Sequence, residues 1–420
     1  MTTSTSTPTE RRMFSYHEAF AKGQPYDHYR WFREHDPVHF GEETWPQGKP
    51  AVFLFRFADV MSVLRNPNVG VETRKLALEV DPDRFADFQP SPLHTVMNNF
   101  MLFRDPPDHT RLRRVANMAF TPKNVARLRP DIERIASSLI AELRESDGPV
   151  DLIENFTYPL PVMVIGKILG VPEVDLPKFR EWASMLASAI DLQLDEAEEG
   201  LAEARSRSAV ELYSYLADII AIRRKEPQDD LISAMIHAES EEGRMTEEEL
   251  VATAILLLFA GHETTTNLIG NGTLALLQHQ DQWKKLIDDR SLAAKTTEEL
   301  LRFESPVQLT TRGSFADIPV GDKVIPRGTE IHFLLGSANR DELVFPDPDK
   351  VDITRDVGRT MAFGIGIHFC LGSALARLEG EIAFETLARE APDLQLATDN
   401  PTWRQGVVLH GLTDLPVAFG

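Results

Sequence analysis

The alternation of apolar and polar positions divides the chain into two kinds of territory. Residues 51–55 form a short β-branched and aromatic run, which predicts a strand, and 57–64 carry apolar residues at helical spacing. Residues 71–103 show little periodicity and contain Pro82, Pro90 and Pro92, which predicts a long loop. From 107 to 301 helical spacing dominates. The clearest element opens at Thr246-Glu247-Glu248-Glu249, a capping box, and runs to about Gln278. A helix of roughly 33 residues spans about 50 Å, long enough to cross the molecule. Its middle, 254–260, is apolar on every face, the mark of a buried helix. After Pro306 short strands return at 308–313, 323–325 and 330–334. A last amphipathic helix is predicted over 373–387, and 407–409 with 415–419 read as a C-terminal hairpin. The pattern is mainly α with a small β region.

Composition narrows the class. The apolar fraction of 42% and charged fraction of 26% are ordinary for a globular protein. No Pro/Gly/Ser-rich linker divides the 420 residues, so 13–420 is expected to be one catalytic domain behind a polar, disordered segment 1–12. The longest apolar run falls far short of the roughly 20 residues a membrane span requires. With no signal-peptide pattern either, a cytoplasmic protein is expected, monomeric and without a membrane anchor. The balance of 44 basic and 65 acidic side chains, net −21, excludes a nucleic-acid binder. Within that acidic chain, Arg104, Arg111, Arg113, Arg114, Lys123, Arg127 and Arg129 form a local basic stretch.

The one cysteine, Cys370, lies in Phe363-Gly364-Ile365-Gly366-Ile367-His368-Phe369-Cys370-Leu371-Gly372, directly before the last helix. A lone cysteine is most often a small buried hydrophobe. Here it sits at a helix N-terminus, where the macrodipole favours thiolate, and Gly364 and Gly366 permit a tight loop that can approach a flat ligand. The G-x-G does not read as a dinucleotide loop, because Phe369 occupies the place of the third glycine. Ala260-Gly261-His262-Glu263-Thr264-Thr265 puts an acid and two threonines in the middle of the buried helix. Threonine hydroxyls can bond to carbonyls one turn back, and a local widening of the helix is expected there. The His262-Glu263 pair is no zincin motif, since Thr266 replaces the second histidine. Glu299 and Arg302 share a helix face at i,i+3, a spacing usually seen in surface ion pairs. His109 and Arg113 are likewise i,i+4 on a helix that opens at Pro107.

The cysteine string resembles the haem-binding loop F-G-x-G-x-H-x-C-x-G of the cytochrome P-450 superfamily, a resemblance that continues through Leu375-Ala376-Arg377 and Glu379. It implies the triangular-prism fold, with haem b between the long central helix and the Cys370 helix. Cys370 would be the iron ligand, and Phe363, Gly364 and Ala260 would border the haem. His109, Arg113, Arg312 and His368 would hold its propionates. Thr264 would hydrogen-bond the oxygen species being reduced, with Glu263 relaying protons from solvent. Glu299, Arg302 and Arg355 would form a buried structural triad. The loop over 71–103 would roof a pocket lined by Met97, Leu102, Leu256, Val307, Gln308, Val408 and Leu409. Such a lining suits a hydrophobic small molecule of macrolide or polyketide, terpenoid, steroid or fatty-acid type. The chain has no Walker loop, flavin domain or iron–sulfur cysteines. Two NAD(P)H-derived electrons for O2 would therefore come from a ferredoxin or flavodoxin and its reductase, docking on the basic stretch. Two alternatives remain open at this level: an H2O2-driven peroxygenase, in which Arg-Pro would replace Glu263-Thr264, and a non-enzymatic haem sensor or carrier.

Overall fold

A computed structural model describes residues 12–44, 49–80, 83, 89–191, 200–242 and 245–420. Residues 1–11 of the expected disordered segment lie outside these. The organising element is the helix Glu247–Gln278, 32 residues long, capped by Thr246. The Thr246 hydroxyl accepts from the Glu249 N–H at 3.2 Å, and the Glu249 carboxylate accepts from the Thr246 N–H at 2.9 Å. Every residue from 250 to 277 is buried except Ala260, Gly261 and Thr264. Helices Pro159–Leu169, Leu201–Lys225 and Ser373–Glu390 pack around it. Burial on all sides explains why this stretch shows no polar face.

The expected widening around Gly261 is not formed; the helix is α throughout. The threonine back-bonds do form, Thr264 Oγ1 to the Ala260 carbonyl at 2.8 Å and Thr265 Oγ1 to the Gly261 carbonyl at 3.0 Å. They are accommodated without breaking the ladder. The π-helical turn lies instead at Ile153–Thr157, packed against the central helix where Gly270 leaves room for Ile153.

The small β region is a five-stranded sheet in the order Val38–Thr44, Lys49–Leu54, Glu330–Leu334, Leu309–Ser314, Val69–Gly70. Lys49–Leu54 and Glu330–Leu334 are parallel; the other neighbours are antiparallel. The sheet closes on residues far apart in the chain and carries Arg312 on its fourth strand.

Two sequence expectations are corrected. The stretch 71–103 is not one loop: it holds helices Thr73–Val80 and Pro92–Met97 and a short 3-10 turn, Met101–Phe103. Pro92, read as a breaker, is a helix starter; Ser91 caps the helix and Pro92 takes the first turn, where its missing N–H is harmless. The C-terminal hairpin is also not formed. Pro416–Phe419 pairs with Leu394–Leu396 and Val150–Asp151, and Leu412–Asp414 pairs with Thr402–Trp403. Residues 407–409 form a turn whose one bridge is Leu409 to Val307. Apolar alternation identifies strands but not partners. Among the described residues, no helix is long and apolar enough to cross a membrane.

Candidate active site

The cysteine loop is a tight structure held by its own backbone. Cys370 N–H donates to the Phe363 carbonyl at 3.0 Å, and Phe369 N–H donates to the Gly366 carbonyl at 3.1 Å. Gly364 and Gly366 have φ of 65° and 78°, so both need the left-handed region. The last helix begins at Ser373, with Gly372 as its N-cap. The thiol does not gain the low pKa expected from a helix N-terminus alone. Burial raises it, and the Gly372 N–H with Arg113 and Arg377 offsets that only in part. Arg377 stacks over the Phe363 ring at 4.4 Å, bracing the start of the loop.

Ala260, Gly261 and Thr264 are the residues of the central helix between 250 and 277 that are not buried. Around His368 of the cysteine loop, four basic side chains converge. The His109 and His368 rings lie 4.2 Å apart, and the buried Nε2 of each lacks a hydrogen-bond partner. Arg113 donates to the Phe369 carbonyl at 2.6 Å, and Arg312 donates to Thr310 Oγ1 and the Thr311 carbonyl at 2.7 and 2.6 Å. Among the described residues, no carboxylate is within ion-pair distance of either arginine. Burial pulls Arg312 down to about 10, and burial together with Arg312, His109 and Arg113 pulls His368 down to about 3. The two arginines leave positive charge without a close carboxylate, and the two imidazoles, held neutral, leave Nε2 atoms without a partner, which is costly in a largely buried place. It fits a ligand that brings two carboxylates, and a flat one that a thiol can face. The residues present therefore fit haem.

Glu263 is 3% exposed and lies in a network that the local sequence did not reveal. Arg404 donates to its Oε2 at 2.6 Å and Ser184 Oγ donates to Oε1 at 3.3 Å. His262 Nε2 stands 3.4 Å from Oε1. Burial alone would raise this carboxyl; His262 and Arg404 more than offset it and hold it well below the usual carboxylate range. Ser184 and Arg404 are 79 and 141 residues away in the chain, beyond any motif.

The matches over the loop, the central helix and the whole chain decide the family. A family model for cytochrome P450 matches residues 68–390. The chain belongs to the cytochrome P450 family. Its similarity to the vitamin D(3) 25-hydroxylase of Pseudonocardia autotrophica is 40% identity over 400 residues, covering 94% of each chain. To the polyketide biosynthesis cytochrome P450 PksS of Bacillus subtilis it is 38% identical, over 98% of this chain and 99% of that one. A solved structure of P450BioI with an acyl carrier protein bearing hexadec-9Z-enoic acid superposes with a TM-score of 0.86 at 36% identity, covering 96% of this chain and 100% of that chain. The protein is thus a P450 monooxygenase with the mainly α P450 fold. Membership implies haem iron, a redox partner and a hydrophobic substrate.

The remaining sequence candidates divide clearly. Glu299 and Arg302 are fully buried and meet at 2.7 and 2.8 Å, and Arg355 joins Glu299 at 3.1 Å, so the three do form a triad. Leu256 belongs to an apolar cluster against which the partly buried Met97 and Leu102 pack. Val307, Val408 and Leu409 are half-buried around the 407–409 turn. Gln308 is a correction: its side chain is fully buried, with Nε2 donating to the Tyr26 hydroxyl and the Ser305 carbonyl at 3.0 and 2.8 Å. It is a structural tie and not a pocket wall. The basic stretch is also less open than it reads. Arg104, Arg111, Arg127 and Arg129 are ion-paired, Arg111 with both oxygens of Glu249 at 2.7 Å. Arg114 and Lys123 remain exposed.

Proposed function

We propose that this P450 binds haem b through Cys370 and hydroxylates or epoxidises a hydrophobic small molecule of the polyketide or macrolide, terpenoid, steroid or fatty-acid class. Residues 13–420 act as one catalytic unit, in a reducing cytoplasmic setting that suits its single thiol. The observation that carries the reading is the cluster at the Cys370 loop: Arg113 and Arg312 without a carboxylate partner among the described residues, and His109 and His368 with unpartnered Nε2 atoms. The names of its relatives support the substrate range, since they span a vitamin D sterol derivative, a polyketide pathway and a fatty-acyl chain.

Bound haem supplies reductive activation of O2, in the balance RH + O2 + 2 electrons + 2 H⁺ → ROH + H2O. The chain supplies everything around that chemistry. Cys370 enters as thiolate, which a metal favours over the buried thiol. Arg113 and Arg312 would neutralise the propionates, and His109 and His368 would hydrogen-bond them through their unpartnered Nε2 atoms. Phe363, Gly364 and Ala260 leave the flat space it needs. Thr264 Oγ1 donates to the Ala260 carbonyl, and on release from that bond its hydroxyl can serve as a proton donor. Glu263, one residue earlier, is ionised and accepts from Ser184, so it can orient water and reload the threonine. Apolar walls at Met97, Leu102, Leu256, Val307, Val408 and Leu409 exclude solvent from the substrate. The electrons arrive from a ferredoxin or flavodoxin with its reductase.

The test is spectroscopic. Reduced protein under CO should show the red-shifted Soret band of a thiolate ligand, and Cys370→His should lose it together with turnover. Persistence of the band in the variant would overturn the assignment.

A further inference from the structure

The turn 406–409 is gathered by a side chain 216 residues earlier in the chain. Asp191 directly follows the helix Leu176–Ile190. Its Oδ1 accepts the backbone N–H groups of Val407, Val408 and Leu409 at 3.0, 2.7 and 3.4 Å. Three successive amides on one carboxylate oxygen form an anion nest, and each bond is charge-assisted. Gly406 makes the arrangement possible. A Cβ there would stand 1.9 Å from Asp191 Oδ2, and its backbone needs no left-handed φ, so space alone calls for glycine.

The turn is fastened on two further sides. Gln308 N–H donates to the Val408 carbonyl at 2.9 Å, and His410 N–H donates to the Pro306 carbonyl at 2.9 Å. Asn271, on the central helix, donates to the His410 carbonyl at 2.9 Å. The end of one helix, the strand edge at 307–308 and the central helix thus meet on five residues. Val408 and Leu409 are only half-buried there, beside Val307.

We infer that Asp191 is a specificity-positioning residue: by gathering the amides of 407–409 it sets where the apolar wall of Val408 and Leu409 stands against a hydrophobic substrate. It touches the turn and not the substrate. The inference rests on the proposed pocket, and it goes beyond that reading by assigning control of the pocket wall to a residue outside it.

Three variants and two readouts test it on the haem-loaded protein. In Asp191→Ala the amides of Val407, Val408 and Leu409 should exchange hydrogen about tenfold faster or more, as expected for lost bonds to a charge. Binding is followed by the Soret shift with two probes, imidazole and 1-dodecylimidazole, which share the iron-binding nitrogen and differ in the apolar chain. The Kd of 1-dodecylimidazole should rise about tenfold, while that of imidazole stays within about twofold. Gly406→Ala should reproduce both effects by evicting the carboxylate, and Asp191→Asn, which keeps an accepting oxygen, should fall between. Unchanged amide exchange would overturn the inference. So would faster exchange with both probes unaffected, or equal weakening of both probes, which marks general loosening. A wild type showing no imidazole shift would instead bring down the haem reading, and the exchange measurement would still decide whether Asp191 holds the turn.

Discussion

A single hydroxyl and a single carboxylate share the proton work at the middle of the central helix, and their surroundings separate their roles. Thr264 is only partly buried and back-bonds to Ala260, while Glu263 is buried against Arg404 and Ser184. His262 and Arg404 lower the Glu263 carboxyl, which favours its carboxylate form, an acceptor able to hold water. The hydroxyl of Thr264 is the group that hands on the proton. Thr264→Ala should therefore still consume O2 and NAD(P)H but release mostly hydrogen peroxide, with product formation down about 100-fold or more. Measuring peroxide against product per NAD(P)H checks this; a fully coupled variant would remove Thr264 from the relay.

At the scale of elements, one helix face is legible and its meaning is not. Glu299 and Arg302 on the helix Ala293–Phe303 have the spacing of an ordinary surface pair. Burial changes their value. Arg302 also donates to the carbonyls of Asn339 and Pro348 at 3.2 and 2.8 Å, and Glu299 accepts the Asp352 N–H at 3.0 Å. The pair thereby clamps the segment 339–355 that precedes the cysteine loop. Glu299→Gln would leave Arg302 a buried, unpaired charge, and should destabilise the fold by about 3–5 kcal/mol in urea unfolding. A loss under about 1 kcal/mol would mean that the clamp is solvated in solution.

For the whole molecule, charge distribution governs encounter with the electron donor. A net charge of −21 repels an acidic partner at long range, so the approach must be guided locally. Arg114 and Lys123 are exposed basic groups of that stretch, placed to meet a partner at the surface. Reduction by a ferredoxin should slow as salt rises, since the screening length falls from about 10 Å at 0.1 M to about 3 Å at 1 M. Arg114→Glu with Lys123→Glu should slow it further, since both side chains are exposed on that face. Indifference of the rate to salt and to the double reversal would show that this face does not guide the partner.

What the chain determines by itself is whatever depends on neighbours in sequence. The helix 247–278 follows from its capping box and unbroken apolar middle, the strands 323–325 and 330–334 from alternation, and the cysteine loop from its glycines and lone thiol. These rest on backbone sterics and on periodicity, both local. Tertiary structure decided what depends on residues far apart. It seated Arg404 and Ser184 on Glu263, turned Gln308 inward to Tyr26, gave Pro416–Phe419 its strand partners, and paired most of the basic stretch with acids distant in the chain. It also decided the thiol, because burial of Cys370 outweighs the helix terminus that the sequence places beside it. Desolvation and charge pairing act through space, and no spacing along the chain encodes which distant group arrives.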